Sequence, residues 1–165
     1  MRIVVNADDF GASKSTNEAI DYAFRNGIIN RTTIMVTSPY CEDAMQRAFD
    51  GNYAGSVGLH LHLDGGGKSS ITQEIRKYDL SSPYFWKKTK NRIFITDRGL
   101  RKAIKAEIEA QMQRYIELGC TLMHIDSHHH RHLDLSILML VIPLAKKYGF
   151  RAIECDVHYT KDSVL

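Results

Sequence analysis

Two hydrophobic periods alternate along this chain, and the switches between them predict a run of strand and helix units. Arg2-Ile3-Val4-Val5-Asn6 is a short β-branched run that reads as a buried parallel strand entering the polar turn Ala7-Asp8-Asp9-Phe10-Gly11. A helix follows, opened by the capping pattern Ser15-Thr16-Asn17-Glu18, with Ala19, Ile20, Ala23 and Phe24 on one face and Asn26-Gly27 as its stop. Arg31 to Val36 is the second strand. Ser38-Pro39 then offers a cap and a first-turn proline to a helix in which Cys41, Ala44, Met45, Ala48 and Phe49 recur at helical spacing, ended by Gly51.

Ser56 to Leu63 has the most regular alternation in the chain. Val57, Leu59, Leu61 and Leu63 fall on one side, and Gly58, His60 and His62, followed by Asp64, on the other. A strand lying between helical units is buried on both faces, so its imidazoles need partners, as in a polar barrel interior or mouth. Gly65-Gly66-Gly67 comes next but lacks the Lys-Ser/Thr of a phosphate-binding loop. Residues 68–97 show no sustained period, contain Tyr84, Phe85 and Trp86, and read as a long loop of the kind that forms lids. Arg98 to Leu118 is the longest helix, with a stripe of Leu100, Ile104, Ile108, Met112, Tyr115 and Ile116 and a stop at Gly119. A strand around His124 follows, then a helix from Leu135 to Tyr148 interrupted by Pro143, then a last strand from Phe150 to Ile153 and a frayed tail from Thr160. Five strands alternating with helices predict an α/β fold with a mainly parallel sheet, an incomplete or distorted β/α barrel, in one domain over residues 1–165.

Composition bounds the function. The 165 residues are 44% hydrophobic and 25% charged, an ordinary globular balance. The N-terminus turns acidic before any signal-type apolar region forms, and the longest apolar stretch, Ile137 to Ala145, is too short to span a bilayer, so a cytoplasmic protein without membrane contact is expected. Cys41, Cys120 and Cys155 lack paired spacing and read as reduced, mostly buried thiols. The net charge of +3 conceals a local +8 over residues 76–105, where ten Lys or Arg face Asp79 and Asp97. Those charges are dispersed and carry no nucleic-acid motif, so no nucleic-acid partner is expected.

The chemistry concentrates in His124-Ile125-Asp126-Ser127-His128-His129-His130-Arg131-His132, which holds five of the eight histidines. Strand alternation would put His124, Asp126 and His128 on one face. Imidazoles with carboxylates suit zinc or another divalent transition ion, and suit magnesium less. Asp8-Asp9, His60-His62 and His124 to His128 all fall at strand C-terminal ends, where parallel α/β folds build their sites.

Three of these stretches, Asn6-Ala7-Asp8-Asp9-Phe10-Gly11, Gly58-Leu59-His60-Leu61 and His124-Ile125-Asp126-Ser127-His128-His129-His130, together resemble the YdjC/ChbG-like carbohydrate deacetylases. The resemblance implies a β/α barrel-like fold and removal of acetyl groups from N-acetylated amino sugars such as chitooligosaccharides. It implies one divalent ion, magnesium or zinc, held by Asp9, His60 and His128, with Asp8 as the catalytic base. His124 and Asp126 would then orient ligands or touch substrate, and His62, His129 and His130 join them as neighbours of the site. The family's chains continue further, to a His-Pro motif whose histidine is thought to act as acid, so the resemblance covers nearly all of this chain but only the N-terminal part of the family's. His62 and Asp64 depart from the family's usual uncharged residues, as Arg131 departs from an apolar one.

On this reading the attacking water loses its proton to Asp8, and His129 or His130 is the candidate to protonate the leaving amine. Tyr84, Phe85 and Trp86 are candidates either to stack on a sugar ring or to anchor the loop. Two rival readings remain open: a metal-dependent phosphoesterase or amidohydrolase, from His60-Leu61-His62 and the basic loop, and a catalytically incomplete metal-binding subunit. Five strands do not close an eight-stranded barrel, so a homo-oligomer covering the sheet edge is also expected.

Overall fold

The computed structural model describes residues 3–65, 70–81, 86 and 95–154. Tyr84, Phe85, Gly66, Gly67, Cys155 and the tail from Thr160 lie outside them. Five strands, β1 (Asn6–Phe10), β2 (Arg31–Ile34), β3 (Val57–Leu61), β4 (His124–Ser127) and β5 (Ala152–Ile153), form one sheet. Every neighbouring pair is parallel and the spatial order is the chain order. The helices α1 (Lys14–Arg25), α2 (Cys41–Asp50), α3 (Arg98–Glu117) and α4 (Leu135–Tyr148) connect the strands. Right-handed crossovers that never reverse strand order put all helices on one face, the winding of a barrel and not of a doubly wound sheet. Accordingly Phe10, Ile34, Leu59 and Ile125 from the strands join Ile20, Met45, Ile108 and Val141 from the helices in one apolar core.

The other face is polar and concave. Val4 and Asn6 beside one edge strand and Ala152, Ile153 and Glu154 beside the opposite edge line a single cavity of about 410 Å³ with Arg31 and His124. A flat five-stranded sheet would hold its edges too far apart to share a cavity, so the sheet curls toward closure. Gly58 sits where this curl brings β2, β3 and β4 together. A Cβ there would meet Thr33 Cγ2 at 3.0 Å and the His124 carbonyl oxygen at 3.2 Å.

Several elements start or stop elsewhere than the periodicity suggests. The first strand begins at Asn6, so Asp8 and Asp9 lie within it and not in a turn beyond it, while Ile3, Val4 and Val5 are exposed because β1 is an edge strand with β2 on one side alone. Helix α1 is capped by Ser13, whose hydroxyl accepts from Thr16 N–H, two residues before the expected capping box. Ser38 does not cap α2, which starts at Cys41, and its hydroxyl instead accepts from Tyr40 N–H. Asp97 caps α3, and Gly149, at φ 80°, ends α4 in the left-handed conformation glycine permits. Ile116 is exposed, whereas Glu107 and Gln111 are buried within the face read as an apolar stripe. The described part of the 68–97 segment is packed and not lid-like: Ile75, Leu80, Trp86 and Ile95 belong to the core.

Candidate metal centre

The residue that sets the site's geometry is Asp9. Its φ is 64°, the left-handed region that short polar residues tolerate better than most. The register between β1 and β2 shifts between Ala7 and Phe10, a β-bulge, which adds one residue to the edge strand. Without the extra residue, Asp8 and Phe10 would share a face. With it, Phe10 is buried among the helices while Asp8 and Asp9 both reach the histidines of the polar face.

Asp9 Oδ1 lies 2.9 Å from His128 Nδ1 and 3.1 Å from His60 Nε2. His60 comes from β3 and is buried, and its other nitrogen, Nδ1, donates to Asp126 Oδ1 at 2.6 Å. Asp126 belongs to β4 and is paired in register with His60. Its Oδ2 accepts from Thr33 Oγ1 at 2.8 Å, and Asn6 Nδ2 approaches it at 3.5 Å while donating to Asp8 Oδ1 at 2.7 Å. Four adjacent strands thus contribute to a continuous network: Asn6, Asp8 and Asp9 from β1, Thr33 from β2, His60 from β3 and Asp126 from β4. Asp8, His60 and Asp126 also offer atoms within 4.8 Å of one another.

The electrostatics follow from this packing. Burial disfavours a charged His60 ring, but the Asp126 and Asp9 carboxylates against its two nitrogens outweigh it and raise the pKa to about 9. The His60 contact draws Asp9 down to about 2, against the opposing effect of burial. Burial pushes His62 and His124 below the usual imidazole value.

The end of β4 differs from simple alternation. The strand stops at Ser127, and His128, which like Asp126 meets His60, opens a 3-10 segment, His128–Leu133, in which His129 and His130 are both left-handed at φ 52°. This double turn sends successive histidines to different partners. His128 goes to Asp9, while His129 Nδ1 donates to Asp64 Oδ2 at 2.7 Å and is exposed, as is His130. His132 turns back into the core, its Nε2 donating to the Glu154 carbonyl at 2.8 Å and its Nδ1 bonded to Ser127 Oγ at 2.6 Å, which makes it structural. His124 lies two residues before Asp126, outside all three candidate metal clusters among the described residues. Arg131 donates to Asp64 Oδ2 at 2.9 Å and stacks over Trp86 at 4.4 Å from the ring centre. Trp86 is buried and donates to the Leu80 carbonyl, so it anchors its segment.

Asp9, His60 and His128 offer donor atoms that all lie within 4.8 Å of one another. They fit a divalent ion on a specific ground. Asp126 keeps a proton on His60 Nδ1, and the buried Nε2 faces Asp9 Oδ1 at 3.1 Å without the geometry of a hydrogen bond, so Nε2 is the atom at which an ion would replace a proton. A carboxylate behind the imidazole, with the other ring nitrogen turned to the site, is the arrangement that orients histidine ligands. Asn6, Thr33 and Thr37, whose Oγ1 is bonded to His62 Nδ1 at 3.0 Å, join the site without being marked by the sequence patterns. Asn6 could have been found from its position two residues before Asp8 on the same strand face; the threonines carry no such signal.

A parallel sheet with carboxylates and imidazoles gathered toward one end of its strands defines an α/β protein with a polar site at that end. More narrowly, the chain belongs to the YdjC-like family, whose model, described as YdjC-like protein, matches residues 2–163. It is 31% identical over 176 residues to a carbohydrate deacetylase of Vibrio cholerae, covering 97% of this chain and 65% of that protein. A carbohydrate deacetylase of Brevibacillus brevis is 36% identical over 148 residues, 90% of this chain and 57% of the relative. A chitooligosaccharide deacetylase of Proteus mirabilis is 34% identical over 146 residues, covering 88% and 55%. The chain therefore spans less than two thirds of the length of these curated relatives. A crystal structure from Enterococcus faecalis V583, assigned provisionally to cellobiose-phosphate cleavage, superposes with a TM-score of 0.72 at 25% identity, over 90% of this chain and 57% of that one.

Proposed function

We propose that this chain carries the metal-binding and base-bearing part of a hydrolase that removes acetyl groups from N-acetylated amino sugars. The observation that carries the reading is the convergence of Asp9 and His128 with the buried His60, whose Nε2 makes no hydrogen bond, in a chain whose relatives are named carbohydrate and chitooligosaccharide deacetylases. Two imidazoles and one carboxylate favour zinc or a similar divalent ion over magnesium. Such an ion, when bound, supplies Lewis acidity toward the acetyl carbonyl and lowers the pKa of a water beside it.

The chain's own residues divide the remaining work. Asp8, exposed and held by Asn6, is the base that takes the proton of the attacking water. Asp126 holds the His60 tautomer, and Thr33 fixes Asp126. His129, exposed and polarised by Asp64, and His130 beside it are the candidates to protonate the departing amine. The single-domain reading of residues 1–165 and a homo-oligomer that covers the exposed edge at Ile3, Val4 and Val5 belong to the same proposal. Sedimentation of a stable monomer at micromolar concentration would remove the oligomer from it. Among the described residues no helix is long and apolar enough to cross a membrane.

The test is acetate release. Metal-loaded protein incubated with N-acetylglucosamine oligomers should liberate acetate. Cleavage of a sugar phosphate ester with no acetate from any acetylated sugar would replace this reading with the phosphoesterase one.

A further inference from the structure

We propose that His62, Asp64 and His128 form a second site for a divalent d-block cation, beside the Asp9–His60–His128 cluster and sharing His128 with it. Donor atoms of these three residues lie within 4.8 Å of one another, as those of the first cluster do. The T-shaped ring contacts place His128 between the other two imidazoles, its centroid 5.8 Å from that of His60 and 5.3 Å from that of His62. A neutral imidazole offers one coordinating nitrogen, so serving an ion on each side makes His128 a bridging imidazolate, its remaining N–H proton released to solvent as the second ion binds.

The independent observation is Asp64. Its side chain is only 6% exposed, and Oδ2 takes both hydrogen bonds given to it, from His129 Nδ1 and Arg131 Nε. Those two partners account for Oδ2. Nothing accounts for Oδ1, which is buried without a hydrogen-bond partner. An ionised oxygen taken out of water and left unpaired is costly, and a cation removes that cost.

His62 is held through Nδ1 as His60 is, by a hydroxyl in place of a carboxylate. Its Nδ1 is bonded to Thr37 Oγ1 at 3.0 Å, which leaves Nε2 for a ligand. Its backbone is clamped at both ends of the peptide unit: Gln111 Oε1 accepts from His62 N–H at 3.0 Å, and Gln111 Nε2 donates to the His62 carbonyl at 2.8 Å. Gln111 Nε2 is tied in turn to buried Glu107. The alternation of β3 continues past its last paired residue, with Leu61 and Leu63 buried on the helix side, so His60, His62 and Asp64 rise along one face of the chain. His60 serves the first ion and the next two positions serve the second.

The test counts metal on the whole chain after removal of bound metal with a chelator. Titration with Co²⁺ is followed by visible absorption, and elemental analysis of the desalted protein gives the stoichiometry. The wild-type protein should take up two equivalents. Asp64→Asn, which preserves shape, and His62→Ala should each take up one, with the first site's absorption band retained. Asp9→Asn should keep the band of the second site and lose that of the first. Saturation of the wild type at one equivalent that is insensitive to His62 and Asp64 overturns the second site and leaves the first standing. Two equivalents retained in both variants place the extra ion elsewhere and overturn it as well. A single equivalent that is lost with Asp64→Asn but kept in Asp9→Asn supports this site and counts against the Asp9 cluster.

Discussion

Asp9 pairs an unfavourable backbone with a favourable side chain. Its left-handed φ is tolerated because the bulge it creates lets one carboxylate face two imidazoles. Asp8 next to it completes no part of the Asp9–His60–His128 set, so Asp8→Asn should retain metal and lose about 10²–10⁴ in turnover, measured as acetate release. Metal lost with activity restored on resupply would show that the two aspartates have exchanged roles. His128→Ala should lose most bound metal, by elemental analysis, with its circular dichroism unchanged, because His128 lies in a 3-10 turn and not in the sheet.

The pH dependence belongs to His60. In the metal-free protein its pKa is raised from 6.5 to about 9, so its contribution to stability is fully present below pH 6.5 and is lost as pH rises through 9. The depressed Asp9 contributes above pH 3.8, and that contribution is lost as pH falls through about 2. An ion must displace the His60 proton, so metal affinity should rise by roughly tenfold per pH unit between pH 6.5 and 9. Competition with a chromogenic chelator across that range checks the slope; a flat profile would mean that His60 is already neutral without metal.

At the scale of elements, the site depends on contacts that the hydrophobic periods do not reveal. Glu107 Oε2 accepts from Thr72 N–H and Oγ1, Glu107 Oε1 accepts from Ile71 N–H, and Gln111 clamps His62, so α3 pins both the end of β3 and the segment beyond it. Gln111→Leu would leave the His62 N–H and C=O without their partners. It should cost about 1–3 kcal/mol, read as a lower urea midpoint at unchanged slope. An apolar replacement with no loss would mean that the clamp is incidental.

The same elements show what the sequence made legible. Strand and helix order, parallel pairing and the gathering of Asp8, Asp9, His60 and His128 at strand ends could be read from alternation, caps and glycine stops, because each is a local pattern. The bulge at Asp9, the left-handed turn at His129 and His130 and the burial of Glu107 and Gln111 could not. Each depends on a partner distant in sequence, such as β2 for the bulge, Asp64 for the histidine turn and Ile71 with Thr72 for Glu107. Exposure of Ile3 to Val5 was hidden for a similar reason, since an apolar run does not say whether it lies at a sheet edge.

For the whole molecule, a sheet whose order never reverses curls until both edges line one cavity, and its concave face gathers polar groups from four strands. The curl needs Gly58, where a methyl group would press on Thr33 and the His124 carbonyl. Gly58→Ala should therefore weaken metal binding and stability together, though it removes no ligand, and unchanged values for both would mean that the strands can yield there. The central claim is that Asp9, His60 and His128 are a metal centre, and anomalous diffraction from crystals grown with zinc tests it most directly. The account predicts a peak about 2.0–2.2 Å from His60 Nε2, shared with His128 and an oxygen of Asp9. A zinc-replete crystal with no peak there, and with His60 and His128 still bonded directly to Asp9, would contradict it.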